Sequence, residues 1–209
     1  MRPGAVLLCG GLSTRMGRDK SQLLFGEETL LQRVLRRVAA GLQKVCDDPR
    51  IVVVAAADQV LGPLPAGVQT VVDSAPCEGP LRGLEAGLSA LSGTVDCVFL
   101  TACDAPFLEP AVIELLLRRL QGRRGLMVSE RSTGRLHPLC AVYVPRLLAD
   151  VRQLLASGER RMRALAELTD VAQLEVDELR AVDADLSSLQ NLNEPQDYLA
   201  ALEKLVRTV

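Results

Sequence analysis

Short apolar runs alternate along the chain with longer stretches in which apolar residues return every three or four positions. Ala5–Cys9, Ile51–Val54, Val68–Val72 and Val95–Thr101 are mainly apolar runs of the kind a parallel sheet buries on both faces. Between them, Leu30, Leu31, Val34, Leu35, Val38 and Leu42 keep helical spacing from a Thr29 cap to about Lys44. Leu84, Leu88 and Leu91 do the same after Pro80, and Pro110 opens a further amphipathic helix to about Leu120. Leu126–Val128 and Leu139–Val144 read as further strands, and Val171–Val176 as a short one. Pro145 to about Leu168 reads as mostly helical, and Glu194–Val206 as a terminal helix. Strands alternating with helices predict an α/β fold: one three-layer, Rossmann-like domain over residues 1–209 with a mostly parallel central sheet. Ligands of such folds gather at the carboxyl ends of the strands.

Composition sharpens this only in places. Apolar residues make up 48% of the chain and aromatic residues 2%, so the core must be aliphatic. A net charge of −2 argues against a broad nucleic-acid surface. No apolar stretch approaches the ~20 residues that span a bilayer, and the first residues lack a signal-peptide pattern, so no membrane role is expected. The six cysteines are scattered without a C-x-x-C pair, and Cys9 and Cys97 fall in predicted strands. Reduced, packed thiols in a cytoplasmic protein follow from that. With His137 the lone histidine, a zinc site is disfavoured.

Candidate chemistry lies where strands end. Val6–Cys9 stops at Gly10-Gly11, and Ser13, Thr14, Arg15, Gly17 and the triplet Arg18-Asp19-Lys20 follow. Glycine lets a backbone approach a phosphate closely, and Arg15, Arg18 and Lys20 supply positive charge. Neither G-x-x-x-x-G-K-[ST] nor G-x-G-x-x-G is present, so the P-loop and the dinucleotide loop are set aside. Asp104, in F-L-T-A-C-D-A-P-F-L, emerges at the end of another strand, too far upstream to cap the helix at Pro110. A carboxylate there suits Mg²⁺, a hard cation that takes one or two carboxylates and completes its shell with substrate phosphates. Asp73, in V-V-D-S, serves equally well as a turn residue. In N-L-N-E-P, Asn191 and Asn193 alternate in an extended segment and point to one face.

The pattern L-x-G-G-x-S-x-R-M-G-x-D-K resembles the opening motif of the nucleotidyltransferases, and among them the molybdenum cofactor guanylyltransferases. C-D-A-P, G-P-L-R-G (Gly79 to Gly83), His137-Pro138, S-G-E-R-R-M (Ser157 to Met162) and N-L-N-E-P extend the likeness from about residue 5 to residue 206. The resemblance implies a nucleotidyltransferase domain that moves GMP from GTP to the terminal phosphate of molybdopterin and releases pyrophosphate, with Mg²⁺ on Asp104. It implies catalytic roles for Arg15, Lys20 and Asp104. It implies nucleotide contacts at Leu8, Cys9, Gly10, Gly11, Lys20, Asp73 and Asp104, and acceptor contacts at Gly79, Gly83, Asn191 and Asn193. Molybdenum cofactor carrier or acceptor proteins are the implied partners. His137 is read as structural.

Two departures stand out. The family's usual asparagine after the second strand is replaced by Ala55-Ala56-Ala57, which puts the base preference in question, and Arg82 stands where alanine is usual. The alternatives are therefore a cytidylyltransferase, a sugar-1-phosphate nucleotidyltransferase, or a relative that binds nucleotide without turnover.

Overall fold

The computed structural model describes residues 1–10, 19–73, 78–168 and 170–208. Its elements are β1 (Pro3–Leu8), β2 (Leu24–Phe25), β3 (Glu28–Thr29), α1 (Leu30–Gln43), β4 (Arg50–Ala56), β5 (Val68–Asp73), α2 (Pro80–Leu91), β6 (Cys97–Ala102) and α3 (Pro110–Arg119). There follow β7 (Gly125–Glu130), β8 (Arg135–Tyr143), α4 (Leu148–Ala156), β9 (Val171–Glu175) and α5 (Pro195–Thr208). Seven strands form one sheet in the order β5-β4-β1-β6-β8-β7-β9. β8 runs antiparallel to both neighbours, and the other pairings are parallel. The carboxyl ends of β1, β4, β5, β6, β7 and β9 therefore share one rim. After β1 the chain turns outward to β4 and β5, then returns across β1 to β6, so the switch of direction lies at β1 and β6. That is where a wound sheet opens a crevice.

Why these residues form these elements is visible in their burial. β1 and β6 are buried almost throughout, as central strands covered on both faces must be, whereas the edge strand β5 is half exposed. Thr29 caps α1 in a full capping box: its side chain accepts the Gln32 N–H while Gln32 reaches back to the Thr29 N–H. A Cβ on Gly87 would lie 2.4 Å from Val6 Cγ2, and one on Gly83 would lie 2.8 Å from Leu8 Cδ2. These two glycines let α2 lie close on β1. Val6 and Leu8 thus face α2, and Ala5 and Leu7 face the opposite layer. There α1 packs against α3, while α4 packs against α2.

The strand and helix pattern holds with shifts of a few residues at element ends. Three features add detail that the sequence reading lacked. An apolar run looks the same in either direction, and β8 inserts antiparallel between β6 and β7. The stretch from Pro145 to Leu168 is mostly helical, as expected, with a break: α4 ends at Ser157 and Gly158, the latter at φ +87°, and a 3-10 turn resumes at Met162–Glu167. The small β2–β3 hairpin has too few residues to leave a periodic signal.

A second, smaller core sits apart from the main one. Phe25, Leu30, Leu192 and Ala201 are buried together, with Leu23, Phe107, Tyr198, Leu202 and Leu205 around them. Phe25 and Phe107 meet edge to face at 5.6 Å between ring centres. This cluster gathers the chain after Lys20, the chain after Asp104, and the segment before α5.

Candidate active site

At the rim, β6 hands over to a turn. Cys103 N donates to Leu8 O at 3.1 Å, continuing the ladder one residue past the strand, and Asp104 follows. Asp104 O accepts the Leu192 N–H at 2.8 Å. Lys20 Nζ donates to Leu192 O at 2.7 Å and lies 3.9 Å from Asp104 Oδ2. Three motifs far apart in sequence thus close on one another through a single buried leucine. The turn after Asp104 is held from α1: Arg33 Nε donates to Pro106 O at 2.9 Å, and Arg37 donates to Leu108 O and to Glu109. Sequence reading missed both arginines, whose signal is only a pair of cations four residues apart on α1.

Asp104 is in an unusual state. Its side chain is 17% exposed, and Oδ1 is wholly buried with no hydrogen-bond partner among the described residues. Burial pushes its pKa above the usual carboxylate range, and the Lys20 charge offsets this only in part. A buried acceptor without a donor is costly unless something positive fills the place. Among the described residues no group of three His, Cys, Asp or Glu side chains could cage a metal. One hard oxygen beside an open rim fits a cation that brings most of its shell with a phosphate, so the residues present fit Mg²⁺.

The other expected positions fall at stated places on the same rim. Gly11 and Arg15 lie outside the described residues. The N–H groups of Cys9 and Gly10 both point to Val54 O, at 2.8 and 3.3 Å, and Leu8 O is taken by Cys103. Neither of those two donors is open to a ligand here. Asp73 ends β5, opposite Ala56, and is buried at 9% exposure. It stands two strands from β1, about 10 Å away at ordinary strand spacing, and does not share the Lys20–Asp104 contact. Ala55 is buried within β4, and Asn191 and Asn193 are exposed on either side of the buried Leu192. Asp197, rather than Asn193, serves the start of α5, accepting the N–H groups of Asn193 and Glu194 at 2.9 and 2.8 Å.

The G-P-L-R-G and G-E-R-R segments meet. Gly79 precedes α2 at φ +84°, and a Cβ there would lie 3.2 Å from Arg160 O. Arg160 donates to Leu155 O and Glu159 O at 2.9 Å and reaches Glu78 at 3.5 Å. Glu159 is held by the side chain and N–H of Arg161 and by the Arg160 N–H, which bring its pKa down to about 2. Arg82 folds back on Glu78 at 2.8 and 3.0 Å. Gly83 is buried against Leu8, where an added Cβ would push on the end of the Leu8 side chain, so packing by itself favours a glycine there. His137 Nε2 lies 2.9 Å from Glu130 Oε1 and holds that carboxyl below its usual range, at a distance in sequence from the Lys20–Asp104 contact.

A wound sheet with a basic turn and a buried carboxylate at its switch point is the framework of a nucleotidyltransferase. Residues 5–176 match the family model described as the MobA-like NTP transferase domain, and the chain belongs to that family. It is 33% identical over 193 residues to the molybdenum cofactor guanylyltransferase of Desulfosudis oleivorans, covering 92% of this chain and 90% of that one. Among solved structures, molybdopterin-guanine dinucleotide biosynthesis protein A of Archaeoglobus fulgidus matches with a TM-score of 0.77, at 22% identity, over 98% of this chain and 99% of that one. The 2-C-methyl-D-erythritol 4-phosphate cytidylyltransferase of Thermus thermophilus matches at 0.66 and 18% identity, over 97% and 98%. The likeness to these two structures shows the fold alone, which is common to proteins named for different bases. No helix among the described residues is long and apolar enough to cross a membrane.

Proposed function

We propose that this protein transfers GMP from GTP to the terminal phosphate of molybdopterin. A phosphate oxygen of the acceptor attacks the α-phosphorus, a new P–O–P bond forms, and the bond to pyrophosphate breaks. Such transfers need alignment and charge neutralisation more than covalent help. Mg²⁺ held on Asp104 would supply charge stabilisation to the phosphates. Lys20, fixed by Leu192 O, presents its ammonium beside that carboxylate and offsets negative charge on the triphosphate. Arg15 and the backbone of residues 10–17 are assigned to the same phosphates. Leu8 to Gly11 and Asp73 are assigned to the nucleoside, Cys9 and Gly10 by packing against it rather than through their N–H groups, which Val54 O holds. Asn191 and Asn193, exposed before and after the buried Leu192, and the Gly79 turn are assigned to the acceptor.

The observation that carries this reading is the orphaned Asp104 Oδ1 beside Lys20. A second reading, cytidylyl transfer, is favoured by Ala55, which offers no polar side chain to a purine. Five unpaired cysteines among the described residues fit a reducing, cytoplasmic setting, and transfer to molybdenum cofactor carrier or acceptor proteins is the assigned next step. The deciding experiment runs GTP, CTP and ATP side by side with molybdopterin and Mg²⁺ and measures pyrophosphate release. GTP should be preferred by at least about tenfold, the range a few polar contacts supply. CTP turning over faster would replace the guanylyl reading, and release from none of the three would remove transferase activity altogether.

A further inference from the structure

One side chain outside every motif stands at the neck of the glycine loop. Gln59 follows β4 by three residues, on the rim where β4 and β1 end. Its amide oxygen accepts the Ala56 N–H at 3.2 Å, which anchors the side chain to its own strand. Its amide nitrogen donates to Cys9 O at 3.1 Å and to Asp19 Oδ2 at 2.8 Å, with Ser21 Oγ at 3.3 Å. Cys9 is the residue that leaves β1, and Asp19 immediately follows residues 10–18. Gln59 therefore joins the two ends of that segment. The other Asp19 oxygen, Oδ1, accepts Ser21 N at 2.9 Å and Ser21 Oγ at 2.7 Å, and so caps the 3-10 turn Lys20–Gln22. Ser21 is fully buried, and the first residue of the turn is Lys20.

We propose that Gln59 is a positioning residue for the nucleoside triphosphate: it clasps Cys9 to Asp19 and, through the Asp19 cap, fixes the turn that aims Lys20. The inference rests on the reading above that residues 10–20 hold the triphosphate. The physical argument is preorganisation. A Lys20 turn fixed by its Asp19 cap before the ligand arrives has less freedom to lose when the ammonium meets a phosphate. The amide suits the place because it offers an acceptor to Ala56 and donors to Cys9 and Asp19 at once. A cation would pair with Asp19 but leave the Ala56 N–H unmet. A carboxylate would satisfy Ala56 but repel Asp19.

That chemistry supplies the test. Gln59→Glu keeps the size of the side chain and its acceptor for Ala56, yet sets like charges together. Adding Asp19→Asn returns a donor to the pair while its amide oxygen still caps Ser21. The readouts are Mg²⁺–GTP affinity by calorimetry, KM for GTP and for molybdopterin, kcat, and Tm. Gln59→Ala should raise KM for GTP about tenfold through lost preorganisation, with kcat within about threefold and KM for molybdopterin and Tm near the parent. Gln59→Glu at pH 8 should be worse than Gln59→Ala, and the double variant should recover most of the difference. GTP affinity unchanged in Gln59→Glu, or no recovery in the double variant, overturns the clasp, as does a loss of every parameter together with Tm. A parent that binds no nucleoside triphosphate removes the reading above and this inference together. A parent that binds, with Gln59 variants that bind equally well, removes this inference alone.

Discussion

Lys20 Nζ and Asp104 Oδ2 stand 3.9 Å apart, too far for a hydrogen bond and close enough for each charge to act on the other. The ammonium is held instead by Leu192 O at 2.7 Å, which leaves it beside the carboxylate without closing on it. A gap of this kind leaves the carboxylate free to take a cation while the ammonium meets a phosphate.

Lys20→Ala should cut kcat/KM for GTP by about 10²-fold or more, the usual loss when one fixed donor to a developing charge is removed. The same change strips Asp104 of the Lys20 charge that lowers its pKa, so that pKa should climb further. The pH at which activity rises should therefore move upward in the variant. Steady-state kinetics between pH 5 and 9 read both effects, and kinetics equal to the parent would remove Lys20 from the site.

Asp104→Asn separates function from stability. Turnover should fall by about 10²-fold or more, because the charge proposed to hold Mg²⁺ is gone. Stability should move the other way. The folded pKa of Asp104 is raised above its unfolded value, so the native state binds the extra proton and stability is lost as pH climbs from the unfolded toward the folded pKa. At neutral pH the buried anion is therefore a cost that the neutral amide lessens. In metal-free buffer at pH 7 the variant should gain on the order of 1 kcal/mol, or ~2–4 °C in Tm. At a pH below the unfolded value the gain should vanish. A thermal scan with EDTA checks it, and a variant less stable than the parent at pH 7 would show that Asp104 has a structural partner.

Much of this was legible in the sequence because the chemistry of the site sits on strand ends, where an apolar run stops at an uncommon residue. Asp104 stood out in that way, Lys20 as a cation in the glycine-rich stretch after β1, and Asn191 and Asn193 by their alternation, with a buried Leu192 between two exposed amides. What joins them did not stand out. Leu192 acts through its backbone N–H and C=O, which every residue but proline carries. Arg33 and Arg37 hold carbonyls of the Asp104 turn, and Gln59 holds Cys9 and Asp19, through contacts set by tertiary placement rather than by spacing. The direction of β8 was illegible for a related reason: its buried half, Cys140–Tyr143, is an apolar run that reads the same in either direction.

Leu192 should be the weak point of the small core. Leu192→Ala removes a side chain that is 3% exposed among Phe25, Leu30 and Ala201, and large-to-small changes at such places cost ~2–5 kcal/mol. Because the same residue's backbone ties Lys20 to Asp104, activity should fall well before the protein melts. Activity and circular dichroism followed together against temperature should part by several degrees. Coincident curves would mean that the small core and the site do not move as a unit.

Gly79 is required by backbone geometry. At φ +84° and ψ 174° it occupies a region that side chains avoid, and an added Cβ would press on Arg160 O at 3.2 Å. Gly79→Ala should cost ~1–3 kcal/mol and shift the start of α2 away from the Arg160 segment. KM for molybdopterin should rise more than KM for GTP if this turn serves the acceptor. An equal effect on both would assign Gly79 to the fold alone.

The cysteines divide by burial, and alkylation should reveal it. Burial among apolar side chains pushes the thiols of Cys97 and Cys140 up to about 12, with Asp96 and Asp183 adding to the effect. A thiol attacks only as its thiolate, so at pH 8 about one molecule in 10⁴ carries either group in reactive form. Access is closed as well, since Cys97 is 0% and Cys140 5% exposed, whereas Cys46, just beyond α1, is only half buried. Iodoacetamide at pH 8 should therefore label Cys46 in the folded protein and reach Cys97 and Cys140 only in denaturant, as mapped by peptide mass spectrometry. Raising the pH toward 10 should leave the other two protected, because their thiolates are still scarce and their burial is unchanged. Labelling of Cys140 at the Cys46 rate would mean that β8 opens readily in the native state, and the central position of that antiparallel strand in the sheet would have to be given up.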